Sequence, residues 1–180
     1  MGFPKALLPW RGITFLDALA RSLAAVCDPV LAVVGHDAER IESGIAHPEC
    51  IRFVRNPDYR LGQLSSLQAG LRAVPAQAGG VLFTLVDHPR VRLATLRALL
   101  EDPLPLIAAP VWEGRRGHPV FVRQDLFGEF LSLAQDETAK KVMHRHAAVT
   151  RLVTVDDPGI ADDVDDTAAY ERFLASGEAL

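Results

Sequence analysis

Asp87 stands directly after the apolar run VLFTLV at residues 81–86. A short, continuous apolar run predicts a strand that is buried on both faces, and a rigid strand would hold a carboxylate at its end. Mg²⁺ commonly binds one or two carboxylates together with phosphate oxygens. Asp87 also precedes Pro89, so it could instead cap the next helix. The residue types leave both interpretations open, a magnesium ligand and a helix cap.

A second acidic segment, DDPGIADDVDD, contains six aspartates at residues 156–166. It lies between a predicted strand and a predicted helix, so one of its carboxylates could reach the same metal ion as Asp87. A solvated surface loop is the alternative interpretation. The spacing of the aspartates does not select the ligand.

Two basic segments could bind anions. Lys5 lies close to Gly2 and Pro4, and a lysine in such a position can neutralise a phosphate. The segment RRGHP, residues 115–119, offers two guanidinium groups and an imidazole. Guanidinium groups suit phosphate or carboxylate recognition, although a solvated hairpin tip would have the same composition. The sequence contains no GxSxG, HExxH or Walker motif that would indicate a different chemistry.

Strands and helices alternate along the whole chain in the pattern of apolar residues. The first helix begins at Thr14, with Asp17 placed for a capping box, and Pro29 ends it. Predicted strands are 30–34, 51–54, 81–86, 106–111, 118–122 and 152–155, the fifth being either the hairpin partner of the fourth or a separate strand. Further helices are predicted at 37–45, from Ser65 or Ser66 to 74, and at 93–100, 125–133, 138–146 and 167–174.

This alternation predicts an α/β fold with a mostly parallel sheet and helices on both faces. Ligands of such folds bind at the carboxyl ends of the strands. Three predicted strands end in polar residues there: Asn56, Asp87 and the loop 156–166. The functional site is therefore expected where these three segments meet.

Length, charge and composition restrict the class of protein. A chain of 180 residues is the size of one domain. The net charge of −4 and the absence of basic runs argue against a nucleic-acid partner. No apolar stretch reaches the roughly 18–20 residues of a membrane helix. Cys27 and Cys50 form no CxxC motif, which favours ordinary buried residues in a reducing, cytoplasmic protein.

Several motifs, in order along the chain, resemble those of the MobA-like nucleotidyltransferases, in particular the molybdenum cofactor cytidylyltransferase branch. MGFPKALLP is similar to the end of the family's loop LAAGxSxRMGxPKxLLP, and VVGHDAERI to its second-strand segment. NPDYRLGQLSSLQAGL, VLFTLVDHP, APVWEGRRGHPVFV and DVDD are similar to four further segments. Val86 stands where the family has glycine.

The resemblance implies a three-layer, Rossmann-like fold and transfer of a nucleotide from an NTP to a phosphate, with release of pyrophosphate. In this branch the substrates would be CTP and molybdopterin, and the cofactor Mg²⁺. The product would pass to a molybdoenzyme or its chaperone. The alternatives are a relative that uses GTP or another NTP with a different phosphorylated acceptor, and a non-catalytic cofactor-binding domain.

The resemblance also implies roles for individual residues. Asp87 and Asp165 would hold the metal, and Lys5 would neutralise the triphosphate. The nucleotide pocket would be formed by Gly2, Lys5, Asn56, Gly62, Ser65 and Ser66. Arg116 and His118 would lie near the acceptor.

The family's first strand and most of its glycine-rich loop have no counterpart in residues 1–180. Met1 aligns with the methionine of the family's RMG motif. The resemblance therefore predicts a single domain truncated at its N-terminus, whose reading frame continues upstream through a strand and a glycine-rich loop. The 180-residue form is then expected to bind NTP weakly.

Overall fold

The computed structural model describes residues 2–177. A single turn of 3-10 helix, Lys5–Leu7, leads into a hairpin of β1 (Pro9–Trp10) and β2 (Ile13–Thr14). This hairpin was not predicted, because its strands are only two residues long. Its tight turn is formed by Arg11 and Gly12, which have φ angles of 50° and 82°, the backbone conformation that two-residue hairpin turns require.

Helix α1 (Phe15–Ala24) begins at the predicted capping box. The Thr14 side chain accepts a hydrogen bond from the backbone of Asp17, and the Asp17 carboxylate accepts one from the backbone of Thr14. Asp17 is fully buried and also accepts bonds from the backbone N–H groups of Ala46 and His47. Its carboxylate therefore joins the start of α1 to the segment after the next helix.

After α1 the predicted alternation is confirmed, with boundaries that shift by a few residues. The remaining elements are β3 (Leu31–Val34), α2 (Ala38–Gly44), β4 (Arg52–Arg55), α3 (Gln63–Ala73), β5 (Gly80–Phe83), α4 (Leu93–Leu99), β6 (Ile107–Trp112), β7 (Arg115–Arg116), β8 (Val120–Arg123), α5 (Phe127–Leu131), α6 (Lys140–Arg145), β9 (Thr150–Thr154) and α7 (Thr167–Gly177).

The α/β class is confirmed, and the central sheet is mixed. Strands β3 and β4 pair in parallel as one unit. In the larger sheet β8 lies between β5 and β6 and is antiparallel to both, whereas β9 is parallel to β6. Strands β7 and β8 both fold back onto β6, so the strand predicted at 118–122 is a hairpin partner of β6, and it is observed at Val120–Arg123. This hairpin is the reason that the sheet is less parallel than predicted.

Helices cover both faces of the larger sheet, as expected. On β6 and β8, the side chains of Ile107, Ala109 and Val122 point into a core formed with α3, α5 and α6. The intervening side chains, Ala108 and Phe121, pack on the opposite face against Leu99 of α4. None of the helices within residues 2–177 has the length and apolar character needed to cross a bilayer.

Candidate functional site

The loop after β5 carries Asp87 into the site. The strand ends at Phe83, so residues 84–86 extend beyond its hydrogen-bonded part, contrary to the predicted strand 81–86. The Asp87 side chain is 13% exposed, and its Oδ1 is buried without a hydrogen-bond partner. The helix-cap interpretation of Asp87 is wrong, because α4 begins at Leu93 and Asp157 accepts the hydrogen bond from the backbone of Arg92.

The acidic loop brings two further carboxylates to Asp87. One oxygen atom from each of Asp87, Asp163 and Asp165 lies within 4.8 Å of the others. Asp165 was predicted from the sequence, whereas Asp163 was not. Asp163 and Asp165 lie two residues apart in the same DVDD segment. Either could align with the metal ligand of the family motif, so no feature of the sequence distinguishes them.

The other aspartates of the loop have structural roles that hold it in place. Asp157 is buried and accepts hydrogen bonds from Arg92 and from the hydroxyl of Thr95. Asp162 forms an ion pair with Arg90, and Asp166 accepts a hydrogen bond from the backbone of Ala169 in α7. These contacts fix both ends of the segment that carries the two metal-facing carboxylates.

Lys5 links Asp87 to the acidic loop. Its Nζ lies 3.3 Å from Asp87 Oδ2 and 2.5 Å from Asp165 Oδ1. Burial lowers the pKa of the lysine, but the hydrogen bond to Asp165 and the charge of Asp87 outweigh it and raise the pKa above 10.5. Lys5 is therefore a cation at physiological pH, placed where anionic phosphates would approach.

The pKa values of the two loop carboxylates shift in opposite directions. The hydrogen bond with Asp165 raises the pKa of Asp163. The hydrogen bond from Lys5 lowers the pKa of Asp165. The cluster therefore places three carboxylate groups next to the ammonium group of Lys5. Such hard oxygen ligands fit a divalent cation, and the unpartnered Asp87 Oδ1 offers one further ligand atom.

The RGHP segment lies against the acidic loop at the interruption between β7 and β8. The His118 N–H donates to the carbonyl of Ile160 at 2.9 Å. A Cβ on Gly117 would lie 2.1 Å from that carbonyl oxygen, so glycine is required for the close approach. Arg116 is exposed on β7, whereas among the described residues the ion pairs of Asp87 and Asp165 are formed with Lys5.

The His118 ring lies inside the site, beside a histidine that the sequence analysis did not select. Its centroid is 5.0 Å from that of His88 and 5.9 Å from that of Phe83. Burial, together with the charge of His88, lowers the pKa of His118 to about 4. The ring is therefore neutral at physiological pH, so it would contact a ligand as an uncharged donor or acceptor.

The predicted nucleotide residues form a second hydrogen-bonded group. The Asn56 amide donates to the hydroxyls of Ser65 and Ser66, and its oxygen accepts from the backbone of Asp58. Gly62 has a φ angle of 99°, which favours glycine and lets α3 begin at Gln63, earlier than predicted. Asn56 and Ser65 line a cleft with Asp58, Leu61, Leu64, Gln68, Arg72 and Gln135. Gly2 is exposed, with no heavy atom near the position of a Cβ.

The fold and site together define an α/β protein with an acidic, lysine-bridged centre at the sheet's loop edge. Residues 1–149 match the MobA-like NTP transferase domain. The chain therefore belongs to the MobA-like NTP transferase family, and the predictions of the family, of the Rossmann-like fold and of a nucleotidyltransferase are confirmed.

Two curated relatives have different names. The chain is 30% identical over 181 residues to the nicotine blue oxidoreductase of Paenarthrobacter nicotinovorans, covering 95% of this chain and 88% of that protein. It is 29% identical over 122 residues to the molybdenum cofactor cytidylyltransferase of Escherichia coli (strain K12), covering 68% of this chain and 62% of that protein.

A solved structure of a Mycobacterium tuberculosis H37Rv protein in complex with manganese is also similar. Its TM-score is 0.79 at 28% sequence identity, with coverage of 96% of this chain and 92% of that chain. The manganese complex of this relative and the three carboxylates of the present chain indicate a site for a divalent cation.

Proposed function

We propose that this protein transfers CMP from CTP to the phosphate of molybdopterin, in the cytoplasm, with release of pyrophosphate. The observation that carries the proposal is the meeting of Lys5 with Asp87 and Asp165 in one site. Lys5 and Asp165 come from opposite ends of the chain and Asp87 from its middle, and together the three offer one cation for phosphates and carboxylates for a metal. The similarity to a cytidylyltransferase supports this choice of substrates.

The chemistry requires alignment and charge neutralisation more than a strong base. The acceptor phosphate is already an anionic nucleophile, so the site has no need for a general base or a covalent intermediate. Lys5 neutralises oxygens of the triphosphate. Asp87 and Asp165, with Asp163, would hold Mg²⁺, which when bound supplies positive charge to the reacting phosphates.

Asn56 shapes the nucleotide site through the loop that it anchors. Its amide group is buried and already bonded to Ser65, Ser66 and Asp58. The cleft beside α3 combines this anchored loop with polar side chains such as Gln68 and Arg72. Gly2, Lys5 and the segment Gly62–Ser66 complete the nucleotide-binding residues of the proposal.

Arg116 and His118 are assigned to the acceptor. Arg116 is exposed and charged, which suits an incoming anion. His118 is neutral and held against the acidic loop, which suits an uncharged part of the same molecule. The product would then pass to a molybdoenzyme or its chaperone.

The decisive experiment measures pyrophosphate release with molybdopterin and CTP, GTP or ATP in parallel, with Mg²⁺ present. The proposal expects release with CTP at a rate far above that with the other two nucleotides. Preference for another NTP would replace CTP with that nucleotide. Ligand binding without pyrophosphate release would instead indicate a non-catalytic cofactor-binding domain.

A second candidate function is oxidoreduction of a compound related to nicotine blue. The observation in its favour is the 30% identity to nicotine blue oxidoreductase along 95% of this chain. Incubation with nicotine blue and a nicotinamide cofactor, followed by absorbance of both, tests it. Turnover in that assay and none in the pyrophosphate assay would favour this second candidate.

A further inference from the structure

Three buried polar atoms without hydrogen-bond partners lie on two adjacent loops beside the acidic cluster. They are Asp87 Oδ1, His88 Nδ1 and His118 Nδ1, and the part of the chain that the structure describes contains only one other such side-chain atom, Arg151 Nε. The His88 Nε2 lies 3.7 Å from Asp87 Oδ1. The two imidazole rings are 5.0 Å apart between centroids.

Such a concentration of unsatisfied atoms is unfavourable for folding. Each buried donor or acceptor without a partner costs roughly 1–3 kcal/mol, and most buried polar groups in native proteins are satisfied. His88 is only 6% exposed, so bulk water does not compensate its ring nitrogen. A ligand that forms hydrogen bonds with these atoms would remove this free-energy cost, which explains why the protein retains them.

Both rings are held in fixed positions. The backbone of His118 is bonded to Ile160, and its ring packs at an angle to Phe83. The backbone N–H of His88 donates to the carbonyl of Leu85 at 3.3 Å. The rings therefore form a prepared surface rather than two mobile side chains.

Asp87 Oδ1 is available to the cation of the acidic cluster, so the two imidazole nitrogen atoms select the kind of further ligand. A neutral imidazole offers one donor and one acceptor, depending on its tautomer, whereas the carboxylate of Asp87 only accepts. Phosphate oxygens act mainly as acceptors, so a phosphate would match only the donor nitrogen of each neutral ring. A planar nitrogen heterocycle brings ring N–H donors and nitrogen acceptors, and its flat face can pack against an imidazole ring.

We propose that His88 and His118 form a subsite for a planar nitrogen heterocycle, the pterin part of the acceptor. This rests on the proposed function, because the acceptor's phosphate must reach the neighbouring Lys5 and Asp87. His88 then determines acceptor specificity, and it contacts the acceptor rather than the nucleotide.

The probe for this subsite is neopterin, whose fluorescence reports binding without turnover. His88→Phe keeps a ring of similar shape but removes both nitrogen atoms, and is expected to weaken neopterin binding about ten-fold or more. His88→Asn places an amide near the position of Nδ1 and should retain most of the affinity. His144→Phe, the same change at an exposed histidine, is the matched control and should leave binding unchanged.

Thermal unfolding separates a ligand-binding role from a structural one. Because His88→Phe removes a buried unpartnered nitrogen, its melting temperature should equal or exceed that of the unchanged protein. Isothermal titration should show unchanged affinity for CTP. Equal neopterin binding by His88→Phe, or a binding loss matched by a lower melting temperature and weaker CTP binding, would overturn the proposal.

Failure of the subsite proposal and failure of the proposed transferase function give different results. Neopterin binding that depends on His88, without CMP transfer to molybdopterin, would retain the heterocycle subsite and reject the transferase activity. CMP transfer with the same KM for molybdopterin in His88→Phe would retain the activity and reject the subsite.

Discussion

Replacement of Asp87 by asparagine tests the metal-binding interpretation of the site. The change keeps the size of the side chain and removes one of three clustered carboxylate charges. In the free protein it removes the ion pair with Lys5 at 3.3 Å and the contact of Asp87 Oδ1 with His88 Nε2 at 3.7 Å. Partly exposed pairs of this kind contribute about 0.2–1 kcal/mol, so the free energy of unfolding should change by no more than about 1 kcal/mol.

The effect on turnover should be far larger. A bound metal supplies several kcal/mol of transition-state stabilisation, and each 1.36 kcal/mol corresponds to a tenfold change in rate. Asp87→Asn should therefore lower the rate of pyrophosphate release about 10²- to 10³-fold and weaken Mn²⁺ binding, measured by isothermal titration.

Asp166→Asn is the matched control, because Asp166 lies in the acidic loop but accepts a bond from Ala169 instead of joining the cluster. Asparagine can accept the same bond, so both activity and stability should be preserved. The reasoning is refuted if Asp87→Asn unfolds while its activity per folded molecule is normal, or if it binds Mn²⁺ as tightly as the unchanged protein.

Further predictions address the lysine, a glycine and the buried aspartate. Lys5→Gln should weaken NTP binding but raise Mn²⁺ affinity of the nucleotide-free protein several-fold by freeing the carboxylates; titration with each ligand checks both directions. Gly117→Ala should cost about 1–3 kcal/mol by overpacking, whereas Gly128→Ala, with open space around its Cβ position, should be neutral or stabilising; urea denaturation measures both. Burial would raise the pKa of Asp17, but its hydrogen bonds lower it below 3.8, so its stabilisation is present above that pH and lost on acidification; Asp17→Asn should reduce the acid sensitivity of unfolding followed by circular dichroism.

The order of helices and strands could be predicted because the spacing of apolar residues within each segment indicates a helix or a strand. The capping box of Thr14 and Asp17 fixed the start of α1. The hairpin β1–β2 was missed because its strands are two residues long and give no periodic signal. The mixed sheet could not be predicted from alternation, since the return of β7 and β8 onto β6 depends on a turn at Glu113 and Gly114, both with positive φ.

The site was predicted in outline and not in detail. Lys5, Asp87 and Asp165 meet as expected, because the motifs that carry them are separate and specific. Within the acidic loop the sequence shows six equivalent aspartates, and only the packing distinguishes them. Asp163 and His88 were missed for the same reason, since neither spacing nor residue type shows which side chains turn inward.

The strand edges next to the carboxylates decide where a further strand could pair with the sheet. Within residues 2–177, β3 pairs only with β4 and β5 only with β8, so each leaves one backbone edge without a partner strand. Leu82 of β5 nevertheless packs against the core cluster that contains Ala32 and Val34 of β3. All four residues of β5 are only half-buried, which fits its position at an edge of the sheet among the described residues. Each backbone bond gained on those edges would contribute about 0.5–1.5 kcal/mol. Since Lys5 lies beside Asp87 in the loop after β5, a strand that paired with the free edge of β5 would lie next to the carboxylates and would be expected to stabilise the loop that carries Asp87.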